Sequence, residues 1–420
     1  MQDAARAIHA HMRLLYLNPL ASMGGAERVL LDLLGMVRQA RPSWPVGLLL
    51  ASDGPLADDA RRLGVRTSVV PFPRELARLG DAGLSGAGTG PAAWARFMGR
   101  AVGGSFSSLA YVHRLRREIA AFEPDVMHSN GFKMHLLGAC ARPSQAALIW
   151  HFHDYLSSRP VSSRLIKQLK GRCDAIAAVS GSVAADIREQ LGDAVEINTV
   201  WNAVDLGKFR PEGPRLDLDA LAGLPPARPG VVRVGLVATF ARWKGHITFL
   251  EMLKPLVSAH NVRGYIVGGP LYETDGSQYS IAELRAAAAR LGMAESVGFT
   301  GFVKDSSAAR RALDVVVHAS TSPEPFGLSI AEAMATARPV VVSNGGGVVE
   351  LVVSERDALT YRSGDSVELT RQVQRLVVDA SLRRQLGEAA RQAAIERFNP
   401  TRFTEQMLDL YGRVNRAAAA

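Results

Sequence analysis

Short apolar runs alternate with longer stretches of helical period along the whole chain. In the first half, residues 13–17, 46–51, 67–70, 126–128, 148–151, 175–179 and 197–200 read as strands. Helical patterns such as 26–38 and 182–191 lie between most of them. This is the rhythm of βαβ units and a parallel sheet. It restarts in the second half, with strands expected at 231–238, 264–267, 297–299, 315–318, 340–343 and 359–361. Between the halves, residues 209–230 contain five prolines and read as an interdomain linker. The pattern predicts an α/β chain of two doubly wound parallel-sheet domains, 1–208 and 231–397. Such sheets bind ligands at the carboxyl ends of their strands, so the site is expected where the two halves face each other. No 20–50-residue repeat is evident, which argues against solenoids and propellers. The tail 417–420 is low in complexity and is expected to fray.

Composition narrows the class. With 420 residues, 47% hydrophobic and 21% charged, the chain has real cores, so whole-chain disorder is excluded. Two cysteines, Cys140 and Cys173, cannot build a disulfide scaffold and read as reduced thiols outside any metal-binding spacing. No apolar stretch reaches the roughly 18 residues a spanning helix needs. Asp3, Arg6, His9, His11 and Arg13 interrupt any signal-peptide core. The expected location is therefore cytoplasmic, with the inner face of the membrane open as a docking surface.

The net charge of +9 asks for an anionic partner. Residues 74–118 carry +4 of it, seven arginines against three acids, interleaved with Trp94, Phe97, Phe106 and Tyr111. That mixture fits a basic amphipathic membrane surface or a helical insert with a solvated arginine face, and the second is the simpler reading. No aromatic-basic platform or nucleic-acid motif is present, so nucleic acid is not the expected partner.

Three features point to a phosphate-bearing ligand. Gly24 and Gly25 follow the first strand and open a helix, where free N–H groups favour an anion. They form neither G-x-G-x-x-G nor a P-loop, which argues against a nicotinamide dehydrogenase and an NTPase. After the first strand of the second half comes Thr239-Phe240-Ala241-Arg242-Trp243-Lys244-Gly245-His246. Arg242 and Lys244 could neutralise a pyrophosphate there without a metal, or be ordinary surface charge. The most specific block is Glu324-Pro325-Phe326-Gly327-Leu328-Ser329-Ile330-Ala331-Glu332-Ala333-Met334-Ala335. Pro325 and Gly327 keep Glu324 off a helix expected to begin near Ser329, with Glu332 in its first turn. Glu332 could accept from ribose hydroxyls or merely complement the helix dipole. Glu324 could be a ligand group or a solvated loop acid.

With these motifs in view, the sequence resembles retaining, nucleotide-sugar-dependent glycosyltransferases of the GT-B fold, family 4 (glycosyl transferases group 1). The E-P-F-G-L-x-x-x-E-A-M-A block matches the family's E-x7-E element. The W-K-G, G-G-A-E-R-V-L and W-N-A-V-D-L-G-K-F (201–209) segments match its basic site, glycine loop and domain-end segment. F-x-P-x-R-F at 398–403 and the final helix, 398–420, resemble its segment that crosses back to the first domain.

The resemblance implies the following roles. Glu332 binds the ribose, Glu324 the transferred sugar, and the backbone of Phe326, Gly327, Leu328 and Ser329 holds sugar and phosphate with Gly24 and Gly25. Lys244 holds the pyrophosphate, and Val303 lies in the stretch whose backbone contacts the base. The family's arginine is missing at Thr239, and Arg242 is its substitute cation. His128 resembles a histidine near the transferred sugar, and His153 with Asp154 resembles an acceptor-side motif. His135 reads as a helix residue and His151 as a core residue.

The implied reaction transfers a sugar with retention from a nucleotide sugar, UDP rather than GDP by family prior, to a glycan, lipid-linked or small-molecule acceptor. No metal or other cofactor is expected. A sugar-nucleotide epimerase or phosphorylase of the same fold, or a non-catalytic sugar-nucleotide-binding protein, would share these features.

Overall fold

The computed structural model describes residues 11–73, 91–271 and 276–419, with side chains from residue 107 onward in the helix Pro91–Phe122. The chain divides into two compact units, Met1–Trp201 with Thr401–Ala420, and Asn202–Pro400.

Unit 1 holds seven strands: β1 (Leu14–Asn18), β2 (Val46–Leu50), β3 (Arg66–Val69), β4 (Val126–Asn130), β5 (Ala147–Phe152), β6 (Ala175–Ala178) and β7 (Glu196–Thr199). They form one sheet in the order β3-β2-β1-β4-β5-β6-β7, and every pair is parallel. Leu14 stands opposite Val46 on one side and Val126 on the other. Strands β1, β2, β4, β5 and β6 are buried throughout, so they read as continuous rather than alternating apolar runs. The outer strands β3 and β7 are half exposed and carry Arg66, Ser68, Glu196 and Asn198. Strand β4 runs two residues past its apolar run, because Ser129 and Asn130 stay in register with Trp150 and His151.

Unit 2 repeats the plan with β8 (Val232–Val237), β9 (Val262–Val267), β10 (Val297–Gly301), β11 (Val315–His318), β12 (Val340–Asn344) and β13 (Leu359–Arg362). Their order is β10-β9-β8-β11-β12-β13, again parallel. One continuous core joins the sheet to its helices, with Phe249, Leu253, Ile266, Leu369 and Leu376 at its centre. In each sheet the strand order reverses once, between β1 and β4 and between β8 and β11. A crevice opens at such a reversal, because the connections leave to opposite faces.

Residues 209–230 are not a linker. They belong to unit 2, where Phe209 is buried and the helix Leu218–Ala222 is capped by Asp217. Asp219 is buried there among Arg233 at 3.2 Å, Arg263 at 2.6 Å, Tyr265 Oη at 2.5 Å and the Ala227 N–H at 3.2 Å. The prolines end local structure without freeing the segment, because a buried charge network anchors it. At the other end, the helix Pro400–Ala419 returns to unit 1 and buries Phe403, Met407, Leu410, Tyr411 and Val414.

Of the arginine-rich segment, residues 74–90 and the side chains of 91–106 lie outside the described residues. From 107 on, Tyr111, Leu115, Ile119 and Phe122 turn inward while Arg114, Arg116 and Arg117 are exposed. Spacings of three and four put the two sets on opposite faces of the helix. Among the described residues, no helix is long and apolar enough to cross a membrane.

Burial works to raise the Asp219 pKa, but the Tyr265, Arg263, Ala227 and Arg233 donors outweigh it and hold it at about 2. The unfolded carboxyl titrates near 3.8, so this contribution is complete above that pH and fades as pH falls toward 2. Asp219→Asn is expected to cost about 2 kcal/mol at pH 7, and chemical denaturation should show the loss shrinking between pH 4 and 2.

Candidate functional site

Most of the residues singled out in the sequence lie near the two strand-order reversals, whereas Val303 follows the edge strand β10. In unit 2, β8 leads into the turn Arg242–Lys244 and β11 leads into the loop carrying Glu324. Gly245 makes their approach possible. Its φ is +72°, and a Cβ there would sit 1.7 Å from the carbonyl oxygen of Ala319, at the end of β11. The Thr321 N–H also donates to the Trp243 carbonyl at 2.8 Å. The Glu324 loop is pinned from its other side, where the Gly347 N–H donates to the Glu324 carbonyl at 2.7 Å.

Glu324 is 9% exposed, and its carboxylate is fully engaged. Lys244 Nζ donates to Oε1 at 2.9 Å and to Oε2 at 2.7 Å. Ser320 Oγ donates to Oε2 at 3.1 Å, and His318 Nε2 lies 3.3 Å from the same oxygen. His318 is fixed in turn by Ser343 Oγ, 3.0 Å from Nδ1. Burial alone would raise the Glu324 pKa. The Lys244 charge and the His318 contact overcome it and hold the carboxyl well below its ordinary range.

Glu332 lies in the helix Leu328–Ala335, one residue further in than expected and just past the first turn, because the helix starts at Leu328. It forms an ion pair with Arg310, which is 2% exposed and also donates to Ser329 Oγ at 3.2 Å. Ser329 Oγ donates to the Val237 carbonyl at 2.9 Å, tying the helix start to the end of β8. Gly327 caps that helix at φ +97°, a conformation and a space that Val348 and Ile330 deny to a side chain. The first intrahelical donors, Ile330 and Ala331, both reach the Gly327 carbonyl, so the N–H groups of Leu328 and Ser329 precede the ladder. Phe326 is buried edge-on against Phe398, and Val303 is half-buried in the loop after β10.

Arg242 does not join this cluster. Its Nε donates to the Gly276 carbonyl at 2.9 Å, it pairs with Glu283 at 3.0 Å, and its guanidinium lies 4.3 Å from the Tyr279 ring centre. With three residues per turn, positions 242 and 244 face different directions, so only one of the two cations meets Glu324.

Unit 1 brings Gly24, Gly25, His153 and Asp154 to the segments that follow β1 and β5, whereas His128, expected at the end of its strand, is the middle residue of β4. Gly24 caps the helix Gly25–Ala40, and a Cβ on Gly25 would meet nothing within 4 Å. His128 is 1% exposed and sits inside a hydrogen-bonded chain. Tyr16 Oη lies 3.1 Å from Tyr411 Oη, which lies 2.8 Å from His128 Nδ1, and His128 Nε2 lies 3.2 Å from His151 Nδ1. Run from Tyr16 to His151 or the reverse, four donors serve three bonds, so one end of the chain keeps an unused donor, and His151 Nε2 is buried without a partner. Burial and the neighbouring His153 lower the His128 pKa to about 3, and burial lowers that of His153 to about 4. His153 is half-buried, with Nε2 3.0 Å from Asn130 Oδ1, while Asp154 pairs with Arg159 at 3.1 Å.

His318, Arg310 and Asn130 are the site residues that the motifs did not single out. His318 and Asn130 each end a buried strand with a polar side chain, the one signal the sequence carried. Arg310 sits within an unremarkable basic pair. Among the described residues, no group of three or more His, Cys, Asp or Glu is arranged to hold a metal ion.

A model of the family described as Glycosyltransferase Family 4 matches residues 23–208, and one described as Glycosyl transferases group 1 matches residues 229–379. The chain belongs to glycosyltransferase family 4. This family 4 chain is 25% identical over 306 residues to the sulfoquinovosyl transferase SQD2 of Arabidopsis thaliana, covering 68% of this chain and 56% of that protein. It is 31% identical over 202 residues to the lipopolysaccharide core biosynthesis mannosyltransferase LpsB of Rhizobium meliloti, covering 47% and 54%. The chain thus spans just over half the length of these curated relatives. Among solved structures, Anabaena Alr3699/HepE in complex with UDP and glucose superposes with a TM-score of 0.78 at 24% identity, covering 96% of this chain and 100% of that one. Sucrose-phosphate synthase from Thermosynechococcus elongatus gives 0.75 at 19% identity, with the same coverage. These likenesses establish GT-B as the fold of this family 4 chain.

A folded His128 at about 3, against 6.5 unfolded, means that the unfolded chain binds a proton the folded one refuses. The protein should therefore lose about 1.4 kcal/mol of stability per pH unit from this group as pH falls below 6.5. Denaturation curves at pH 7, 6 and 5 should show a shallower acid slope for His128→Gln, and equal slopes would contradict the burial argument.

Proposed function

We propose that the chain is a retaining glycosyltransferase that moves a sugar from a nucleotide sugar, UDP-linked in preference to GDP-linked, to a glycan, lipid-linked or small-molecule acceptor, without a metal. The carrying observation is the Lys244–Glu324 pair beside a helix N-terminus at the β8/β11 reversal. A departing diphosphate gains negative charge as the sugar becomes oxocarbenium-like. The N–H groups of Leu328 and Ser329 are donors for that charge already oriented before the reaction, and Lys244, paired with Glu324 in the free protein, supplies the cation. Glu324 accepts from hydroxyls of the sugar, and Glu332, oriented by Arg310, from those of the ribose. The leaving phosphate oxygen takes the acceptor's proton from the same face, so the anomeric configuration is kept. That the related HepE structures hold UDP, UDP with glucose, and UDP-glucose supports the UDP preference. His128, buried and neutral, serves as a positioning residue for the ends of β1, β4 and β5, in place of contact with the sugar. Arg242, committed to Glu283, has no part in charge neutralisation. Docking at an inner membrane face through the basic helix ending at Phe122 belongs to the same proposal.

The test is a screen of UDP- and GDP-sugars with a panel of acceptors, followed by NMR of the fresh product. Retention, with activity unchanged by a chelator, is expected. An inverted anomer or a chelator-sensitive rate would overturn that part of the scheme. Lys244→Met and Glu324→Gln should each lower kcat by roughly a hundredfold or more while Arg242→Ala stays within a few-fold of wild type.

A further inference from the structure

Lys244 and Glu324 are each other's partners in this structure, yet the reading above gives each a different ligand group. Lys244 Nζ spans both carboxylate oxygens and lies over the Trp243 ring, 3.9 Å from its centre. Behind the carboxylate, Ser320 and His318 hold Oε2, and Ser343 holds His318. The anchored partner is therefore Glu324, and the long lysine is the one able to turn away. A diphosphate that draws Lys244 to itself leaves a buried carboxylate short of donors, which is costly unless something replaces them. A donor sugar brings hydroxyls to that position. A bare nucleoside diphosphate brings none.

We propose that the Lys244–Glu324 ion pair makes the site select a sugar-bearing nucleotide over the bare nucleoside diphosphate. The inference rests on the donor-site reading given above and adds a coupling between its two halves. Sugar binding at Glu324 releases the lysine for the diphosphate. Once the sugar is gone, the lysine returns to the carboxylate and the nucleotide is let go. Discrimination of this kind is a difference of two affinities, and here it comes from an opposing contact inside the site.

Titration calorimetry on the full chain decides it, with UDP, GDP, UDP-glucose and GDP-mannose as probes. Glu324→Gln keeps the shape and removes the charge that restrains Lys244. It should bind the better nucleoside diphosphate roughly tenfold more tightly than wild type and lose the preference for the sugar-bearing form. Adding Lys244→Met to that variant should abolish the gain. Should Glu324→Gln not fold, Glu324→Asp is the substitute. Its carboxylate, one methylene shorter, draws back from the lysine and should give a smaller gain of the same sign. Unchanged or weaker diphosphate binding in a folded variant overturns the coupling and leaves the donor-site reading standing, as does a gain that persists without Lys244. Wild-type protein that binds none of the four probes overturns the donor-site reading itself.

Discussion

A parallel strand cannot fold back on its neighbour. Each pair needs a crossover, and a sheet with helices on both faces must reverse its order somewhere. Everything chemical in this chain follows from the two places where that happens. Between β8 and β11 the departing connections leave room at the strand ends, and Gly245 gives up its side chain so that the turn after β8 can lie on the end of β11. Between β1 and β4 the same geometry lines up Gly24 with His128, Asn130 and His153.

The polar groups placed there are held by paired charges and shared protons rather than by solvent. Glu324 is enclosed by a lysine, a histidine and a serine. Glu332 is oriented by an arginine that is itself almost wholly buried, and away from the site, at the amino ends of β8 and β9, Asp219 gathers two arginines and a tyrosine. Buried charges of this sort contribute little net stability compared with apolar packing, but each is expensive to strip of its partner. Their value is geometric, since each carboxylate is confined to one position.

Much of this architecture was legible in the sequence because it rests on local patterns. Continuous apolar runs mark strands covered on both faces, and glycines after strands mark turns. The E-x7-E spacing marks a loop acid followed by a helical one. What escaped depends on contacts between distant residues. Five prolines in 209–230 read as a linker, since nothing local shows that Asp219 will meet Arg233, Arg263 and Tyr265. Arg242 and Lys244 look equivalent in a string of letters, and only the pitch of a three-residue turn separates them. Arg310 carries no motif, yet it fixes Glu332 from 22 positions away. His128 reads as a reactive group at a strand end, but the Tyr411 hydroxyl that encloses it comes from a helix 283 residues later.

That last separation bears on how the protein is made. Unit 1 is discontinuous: its sheet is finished by Trp201, but the chain rejoins it only at Thr401, in the helix that seals it. On the ribosome, Tyr16 and His128 emerge early and wait through the whole of unit 2 for Tyr411. Unit 2 is contiguous and can close as soon as it is released, so the second unit in order of synthesis is free to be the first to finish folding. Until the final helix arrives, unit 1 exposes the apolar bed for Phe403, Met407, Leu410 and Val414, and a nascent chain stalled at that stage would be a natural substrate for a chaperone.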